Sequence, residues 1–180
     1  MLGSETGNAA FLLDESLPAR TVLLEAVFVV ECVAPRHLHV ERYLAPEPMR
    51  VVVDTRLQLR EGFAPSARAL ERAVERTIDL QRYRKPLAAL VPPLVKRASE
   101  AASVRAAKQI ETATTAASLL LGHEIERLRA LALVNPGVRA DEVEALEREL
   151  ASLLDLLPQA RPRLDSRRLV ASPDFLRLPS

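Results

Sequence analysis

The sequence has a single cysteine, Cys32, no tryptophan, and aromatic residues at only 3% of its positions. One cysteine cannot form an internal disulfide or a multi-cysteine zinc site, so we expect a protein of a reducing compartment. The few aromatic rings argue against a surface on which nucleic-acid bases stack, because such a surface needs several π faces. Disulfide-rich secreted domains are therefore excluded, and base-stacking domains are disfavoured.

Glycine is also scarce, with five residues in 180. There is no Gly-x-x-x-x-Gly-Lys-Ser/Thr run and no Gly-x-Ser-x-Gly elbow. The close pair Gly3 and Gly7 precedes a predicted strand, whereas a phosphate-binding loop leads into a helix. The sequence thus predicts neither a nucleotide-binding loop nor a serine hydrolase site, and we expect this chain not to be an enzyme.

Long hydrophobic runs are missing as well. Apolar runs such as Val27–Val30 and Leu119–Leu121 are far shorter than the roughly 20 apolar residues of a membrane helix. Met1–Ala10 has no basic segment and does not resemble a secretory signal. We expect a cytoplasmic protein without a membrane partner.

The charges nearly cancel, since 25 Lys and Arg against 24 Asp and Glu give a net charge of +1. A nearly neutral chain exerts little overall attraction on nucleic acid. Two basic clusters, Arg82–Lys85 and Arg161–Arg168, could contact phosphate, although Asp165 interrupts the second. Contact with nucleic acid is therefore a weak alternative.

Residues 1–64 form a strand-rich half with many Val and Leu residues. Thr21–Ala34 is mostly β-branched and apolar, which predicts a central strand with one dry face and one amphipathic face. Further strands are predicted at Ala9–Leu13, Leu38–Leu44 and Met49–Asp54. The connections are short and contain proline, which favours an antiparallel meander.

Residues 65–180 form a helical half. Ser66 is the predicted N-cap of a helix that runs to about Arg84. Leu94–Asn135 contains no proline and predicts one long helix. The pair Pro92-Pro93 just before it predicts a kink or a restart, because proline lacks the N–H that an interior helical position donates.

A turn signal, Asn135-Pro136-Gly137, ends the long helix. After it, apolar residues from Val143 to Leu157 recur at alternating spacings of three and four, as in a coiled-coil seam. The short connection predicts an antiparallel helical hairpin over about 94–157. A strand returns to the sheet at about 163–172, so we expect one domain overall.

Two clusters could carry chemistry, and both have a simpler interpretation. Cys32 with His37 or His39 could form a nucleophile and its base, but Cys32 lies in an apolar run where a thiol is usually inert. His37, His39 and Glu41 would share one strand face as metal ligands, but no fourth ligand accompanies them. We favour an inert thiol and a solvated or partner-facing edge, and predict no catalytic, metal or cofactor site.

Several colinear segments carry a family resemblance. They are Gly7–Ala9, Leu17–Ala19, Val27–Glu31 with Pro35, Arg42–Arg50 with Asp54, Arg127–Leu131 with Val134–Pro136 and Arg139–Glu142, and Arg163–Asp165 with Arg168-Leu169. Together they resemble the C-terminal domain of the RapA family, bacterial RNA polymerase recycling factors with a SWI/SNF-type ATPase. The likeness is dense at residues 7–54 and 127–170 and weak from about 55 to 120.

From the patterns and the resemblance we expect an α+β domain. It would have an antiparallel sheet of four to six strands, helices packed on one face, and a projecting antiparallel helical hairpin with a polar tip. The resemblance implies a longer protein that binds RNA polymerase and recycles it through ATP hydrolysis by two RecA-like lobes. Those lobes, with their ATP and Mg²⁺, are absent here, so we expect either a truncated piece or a separately encoded homologue of the C-terminal accessory domain.

The expected partners are the ATPase core of the longer protein, core RNA polymerase, or both. The candidate partner-binding residues are Asn135, Pro136, Arg139 and Asp141 at the hairpin tip, together with Arg42 and Arg50. A rival interpretation is a structural module that forms a homodimer through the hairpin, using the Ala-rich stripe of the long helix and the Val143–Leu157 seam.

Overall fold

A computed structural model describes residues 8–75, 84–135 and 137–177. The chain forms two compact units that interleave along the sequence. The sheet unit comprises the described parts of Met1–Val29, Pro48–Ser103 and Arg163–Ser180, and the hairpin unit comprises those of Val30–Glu47 and Val104–Pro162. The division into a strand-rich half and a helical half of one domain stays a prediction.

In the part of the chain that the structure describes, four strands form one sheet in the order β1-β4-β2-β3. They are β1 (Asn8–Leu13), β2 (Val22–Glu31), β3 (Pro48–Asp54) and β4 (Arg161–Ala171). The predictions at Ala9–Leu13, Met49–Asp54 and the returning C-terminal strand are confirmed, and the predicted Thr21–Ala34 strand is shorter at both ends. Pro48 fits at the first position of β3, where a missing N–H costs the ladder least.

The sheet is mixed, not purely antiparallel as predicted. β2 and β3 are antiparallel, with Leu23 opposite Asp54, but β1 runs parallel to β4, with Asn8 opposite Ser166. A parallel pair needs a long crossover connection, and here the chain between β1 and β4 contains β2, β3 and the three α-helices. The α+β class itself is confirmed.

The core of the sheet unit lies between the sheet and a short helix, α1 (Ala67–Glu75). Ala69 of α1 packs in one buried cluster with residues of all four strands, namely Leu12, Leu23, Val52 and Val170. On the other face of β2 the side chains are almost fully buried, as the dry-face prediction required; these are Leu24, Ala26, Phe28 and Val30.

Ser66 caps α1, as predicted. The Ala69 amide donates to Ser66 Oγ at 3.2 Å, which satisfies one of the free N–H groups at the helix start. Asp14, just after β1, fixes the cap by accepting from the Ser66 amide at 2.8 Å and from the Ser66 hydroxyl at 2.9 Å. The predicted end of this helix near Arg84 depends on residues 76–83, which lie outside the described residues.

The strand predicted at Leu38–Leu44 is wrong. Two short 3₁₀ helices, Arg36–Leu38 and Val40–Arg42, occupy this segment. His39 lies between them with φ 43° and ψ 48°, a left-handed conformation that reverses the chain and breaks strand alternation. The apolar residues of this segment, Leu38, Val40 and Leu44, are nonetheless buried.

The long helix, α2 (Arg84–Ala132), begins before the proline pair rather than after it. Pro92 and Pro93 lie inside the helix, so the predicted restart at this point is wrong. From Leu94 onward a stripe of small and apolar residues is buried at helical spacing: Ala98, Ala102, Ala106, Ala113, Ala117, Leu121 and Ile125. Thr112 and Thr114 donate their hydroxyls to carbonyls four residues earlier, so they stay compatible with the helix.

The third helix, α3 (Ala140–Leu156), follows α2 after a short connection. Val143, Leu153 and Leu157 of the predicted seam are buried, while Leu146 and Leu150 are partly buried. Arg129 near the end of α2 donates to Glu147 of α3 at 2.5 Å, which joins the two helices as the predicted antiparallel hairpin. Asp141 and Glu142 in the first turn of α3 interact favourably with the positive end of the helix dipole. Within the described ranges, no helix is long and apolar enough to cross a membrane.

Candidate protein-interaction site

The connection between α2 and α3, here called the hairpin tip (Leu131–Asp141), is held by local hydrogen bonds. The amides of Val134 and Asn135 both donate to the Leu131 carbonyl, at 3.0 and 2.8 Å, which closes the last turn of α2. Asn135 then accepts the Gly137 amide on its side-chain oxygen at 2.9 Å. A Cβ atom at Gly137 would lie 3.1 Å from that oxygen, so this close approach favours glycine.

The start of α3 completes the tip. Arg139 is the N-cap residue, and its guanidinium donates to both carboxylate oxygens of Asp141, with the Nε bond at 3.0 Å. Both side chains are exposed, so the pair contributes little stability. It does fix one cation and one anion in defined positions beside the turn.

The tip also presents apolar side chains that the sequence analysis did not single out. Leu133 and Val134 are 87% and 81% exposed, and Leu131 is 37% exposed. The expectation of a polar tip therefore holds for Asn135, Arg139 and Asp141 but not for the turn of chain before them. The sequence did hold a signal for this exposure. Leu133 and Val134 lie between the last helical residue and the turn motif, where no neighbour in the sequence could bury them.

Of the predicted partner-binding residues, the structure brings Asn135, Arg139 and Asp141 together at the tip. Pro136 lies outside the described residues. Arg42 belongs to the same unit but to its 3₁₀ segment, where its guanidinium carbon lies 5.9 Å from the centre of the Tyr43 ring.

Arg50 belongs to the sheet unit, on β3, and has a structural role. It donates to Glu25 Oε1 at 2.7 Å, while Arg168 of β4 donates to Glu25 Oε2 at 2.6 Å. Burial raises the pKa of Glu25, but the bonds from the two guanidinium groups outweigh this, and the pKa lies below its ordinary value. An arginine that neutralises a buried carboxylate is less available to a partner than an exposed one.

We next compared the sequence with known protein families and with individual proteins. A family model for the C-terminal region of the RNA polymerase recycling family matches residues 1–172. The chain belongs to this family. Two relatives, each named RNA polymerase-associated protein RapA, come from Pectobacterium carotovorum subsp. carotovorum and Yersinia pestis and are 37% and 38% identical to the chain over 175 residues. The alignments cover 94% of this chain but 18% of each relative, so the chain spans less than a fifth of their length.

In this member of the recycling family, the residues once considered for chemistry lie apart from the tip. The Cys32 thiol donates to the Leu156 carbonyl at 3.4 Å, and burial raises its pKa, which disfavours the reactive thiolate. His39 and Glu41 approach each other to 3.3 Å on the surface, but not as neighbours on a strand face. Among the residues that the structure describes, no group of three metal-ligating side chains comes together.

Proposed function

We propose that this chain is the accessory domain of a RapA-type recycling factor and that it binds RNA polymerase through the hairpin tip. ATP hydrolysis would belong to motor lobes elsewhere in the longer protein, and this domain would position them on the polymerase without chemistry of its own. Two facts about similar proteins support this: the description of the matching family and the names of the relatives.

The observation that carries the proposal is the exposure of Leu133 and Val134 in a connection fixed by hydrogen bonds. Exposed apolar side chains gain free energy when a partner covers them, and a preformed turn loses little conformational entropy on binding. The same connection carries the polar groups of Asn135, Arg139 and Asp141. This is the composition of a small interface, with an apolar centre and a polar rim.

Docking on the ATPase core is the second candidate for the same surface. The tip would then restrain or align the motor rather than contact polymerase directly. The homodimer is less well supported, because the Ala-rich stripe and the Val143–Leu157 seam are already largely buried within one chain. Forming that dimer would require these buried residues to become exposed first.

The test is a titration of the labelled chain with core RNA polymerase, followed by fluorescence anisotropy. We expect saturable binding in the micromolar range or tighter, about −8 kcal/mol or more favourable. Leu133→Ser with Val134→Ser should weaken it at least about tenfold, and Arg139→Glu should weaken it less, since rim charges mainly affect association rates. The matched control is Leu120→Ser, which removes another exposed leucine, 63% exposed, from the last third of α2 and outside the tip.

Equal losses from the tip variants and from the control would contradict a specific role for the tip. If the folded chain does not bind polymerase, the titration should be repeated with the ATPase lobes of a full-length relative. Binding there that depends on Leu133 and Val134 would favour docking on the motor. No binding to either partner would overturn the proposal.

A further inference from the structure

A groove of about 380 Å³ lies in the hairpin unit, away from the residues that form the tip. One wall is the segment after the 3₁₀ helices, with Tyr43, Leu44 and Glu47, and the other is α2, with Arg105, Lys108 and Thr112. The volume is in the range of sites that hold small ligands or a few side chains of a peptide. Sequence analysis could not find the groove, because its walls come from distant parts of the chain.

The segment wall is held in place by its own contacts. Leu44 is buried, and its amide donates to the Val40 carbonyl at 2.9 Å. Tyr43 is partly buried, and the guanidinium of Arg42 lies over its ring. Leu44 and Tyr43 therefore offer a fixed apolar surface.

The helix wall is cationic. Arg105, Lys108 and Thr112 follow one another at spacings of three and four, so they share one face of α2. Both cations are exposed, and within the described ranges no ion pair involves the Lys108 ammonium. Thr112 donates its hydroxyl to the Lys108 carbonyl at 2.9 Å, which leaves the oxygen as an acceptor for a ligand N–H.

The charges of the two walls differ, and this indicates the ligand. Arg105 and Lys108 face the groove from the helix, whereas Glu47 is the carboxylate that lines the opposite wall. A polyphosphate backbone carries negative charge along its whole length and would meet Glu47. An acidic peptide can place carboxylates toward the helix and an apolar side chain or an N–H toward the segment.

We propose that this groove binds an acidic peptide segment of a partner protein. A hydrophobic side chain of the peptide rests on Leu44 and Tyr43, and a carboxylate of the peptide pairs with Lys108, next to the positive charge of Arg105. Arg42, which the sequence analysis selected as a partner-binding residue, supports the Tyr43 ring at the edge of this surface. This site is separate from the tip, so it does not depend on the proposed function.

The probe is a fluorescein-labelled peptide, Gly-Asp-Glu-Leu-Asp-Phe-Glu-Asp-Gly, added to the full chain and followed by anisotropy. We expect saturable binding that weakens at least about tenfold in Lys108→Glu, because one ion pair becomes a repulsion. Lys108→Arg should retain binding. Lys96→Glu is the matched control: it makes the same charge change at an exposed position of α2 outside the groove, and should change affinity less than about twofold.

Several results would overturn the proposal. One is the absence of saturable binding. Another is that Lys96→Glu lowers the affinity for the peptide as much as Lys108→Glu does. A third is that a peptide in which Asn and Gln replace the acidic residues binds as tightly as the acidic peptide. Tighter binding of oligothymidine than of the acidic peptide would also overturn it, in favour of a nucleic-acid site. Circular dichroism and urea unfolding establish that each variant is folded, and Lys108→Gln replaces Lys108→Glu if the latter is not. The tip variant Leu133→Ser should bind the peptide normally, so this test and the polymerase titration can fail independently.

Discussion

At the scale of single residues, the buried carboxylates show how this sheet accommodates charge. Asp14, Glu25 and Asp54 are 0%, 7% and 5% exposed. Glu25 is held by two arginines, whereas Asp14 accepts bonds mainly from backbone amides and serine hydroxyls. For all three, burial raises the pKa but the hydrogen bonds outweigh it, so each pKa lies below its ordinary value.

Glu25→Gln should destabilise the fold even though it keeps nearly the same shape. The glutamine loses the negative charge, and Arg50 and Arg168 remain as partly buried cations with weaker acceptors. We expect the free energy of unfolding to fall by about 1–3 kcal/mol, at the lower end if the partly exposed guanidinium groups rehydrate. Urea unfolding at neutral pH measures this change.

The matched control is Glu124→Gln, which removes the same charge from a surface pair with Arg127 on α2. Because solvent screens that pair, little change in stability is expected. Equal effects of the two substitutions would mean that Glu25 contributes no more than a surface charge.

At the scale of elements, the proline pair inside α2 is a local conflict between sequence and structure. Pro92 and Pro93 have no N–H for the carbonyls one turn earlier, yet the helix continues through them. Both residues are exposed, so their rings contribute little packing that could offset this loss.

Replacing both residues, Pro92→Ala with Pro93→Ala, should therefore stabilise the chain. The regained helical hydrogen bonds exceed the entropy that the prolines remove from the unfolded chain, and we expect a gain of about 1–3 kcal/mol. Urea unfolding measures the gain. Pro158→Ala, at the start of a 3₁₀ turn where proline is tolerated, should produce no such gain. A double variant less stable than the natural sequence would contradict the prediction.

The elements that sequence reasoning predicted well are those fixed by local patterns. The β-branched, alternating segment Thr21–Ala34 located β2, and the Val143–Leu157 spacing located α3. The segment at Leu38–Leu44 also alternates, but the left-handed conformation of His39 depends on the packing around it. The parallel pairing of β1 with β4 joins the two ends of the sequence, and no local signal records it.

The candidate site, like the fold, was predictable where a local pattern specifies it and not where it depends on distant parts of the chain. The turn motif located the connection in which Asn135, Arg139 and Asp141 lie, and their role in binding a partner stays a prediction. The exposure of Leu133 and Val134 was not predicted, since hydrophobic residues are usually assigned to the core. The bond from Arg50 to Glu25 was not predicted, because Glu25 lies on another strand and the pairing register was unknown. The selection of Arg50 as a partner-binding residue stays a prediction.

At the scale of the whole molecule, sensitivity to acid should be uneven. The three buried carboxylates all belong to the sheet unit. A folded-state pKa below the ordinary value means that the folded chain binds fewer protons than the unfolded chain. The resulting stabilisation is complete above the ordinary values of 3.8 for Asp and 4.5 for Glu and is lost as the pH falls through the folded-state pKa.

We therefore expect the sheet unit to lose protection from amide hydrogen exchange before the hairpin unit does. The comparison is made by mass spectrometry at about pH 6 and about pH 3.5, with labelling times corrected for the intrinsic exchange rate. In the Glu25→Gln variant, acidification should reduce the protection of the sheet unit by less than in the natural sequence, because one titrating group is gone. Earlier loss of protection in α3 than in β1 and β3 would contradict this expectation.

The strand order has a consequence for the chain as it leaves the ribosome. β4 comes last among the four described strands, yet it lies between β1 and β2, which are made long before it. Until β4 arrives, β1 has no neighbour, and β2, one of the most apolar segments of the chain, has a free hydrogen-bonding edge. The sheet is thus completed when β4 inserts between two earlier strands, not when a strand is added at its edge. Until then, the free edge of β2 can pair with other chains, and chaperones cover surfaces of this kind.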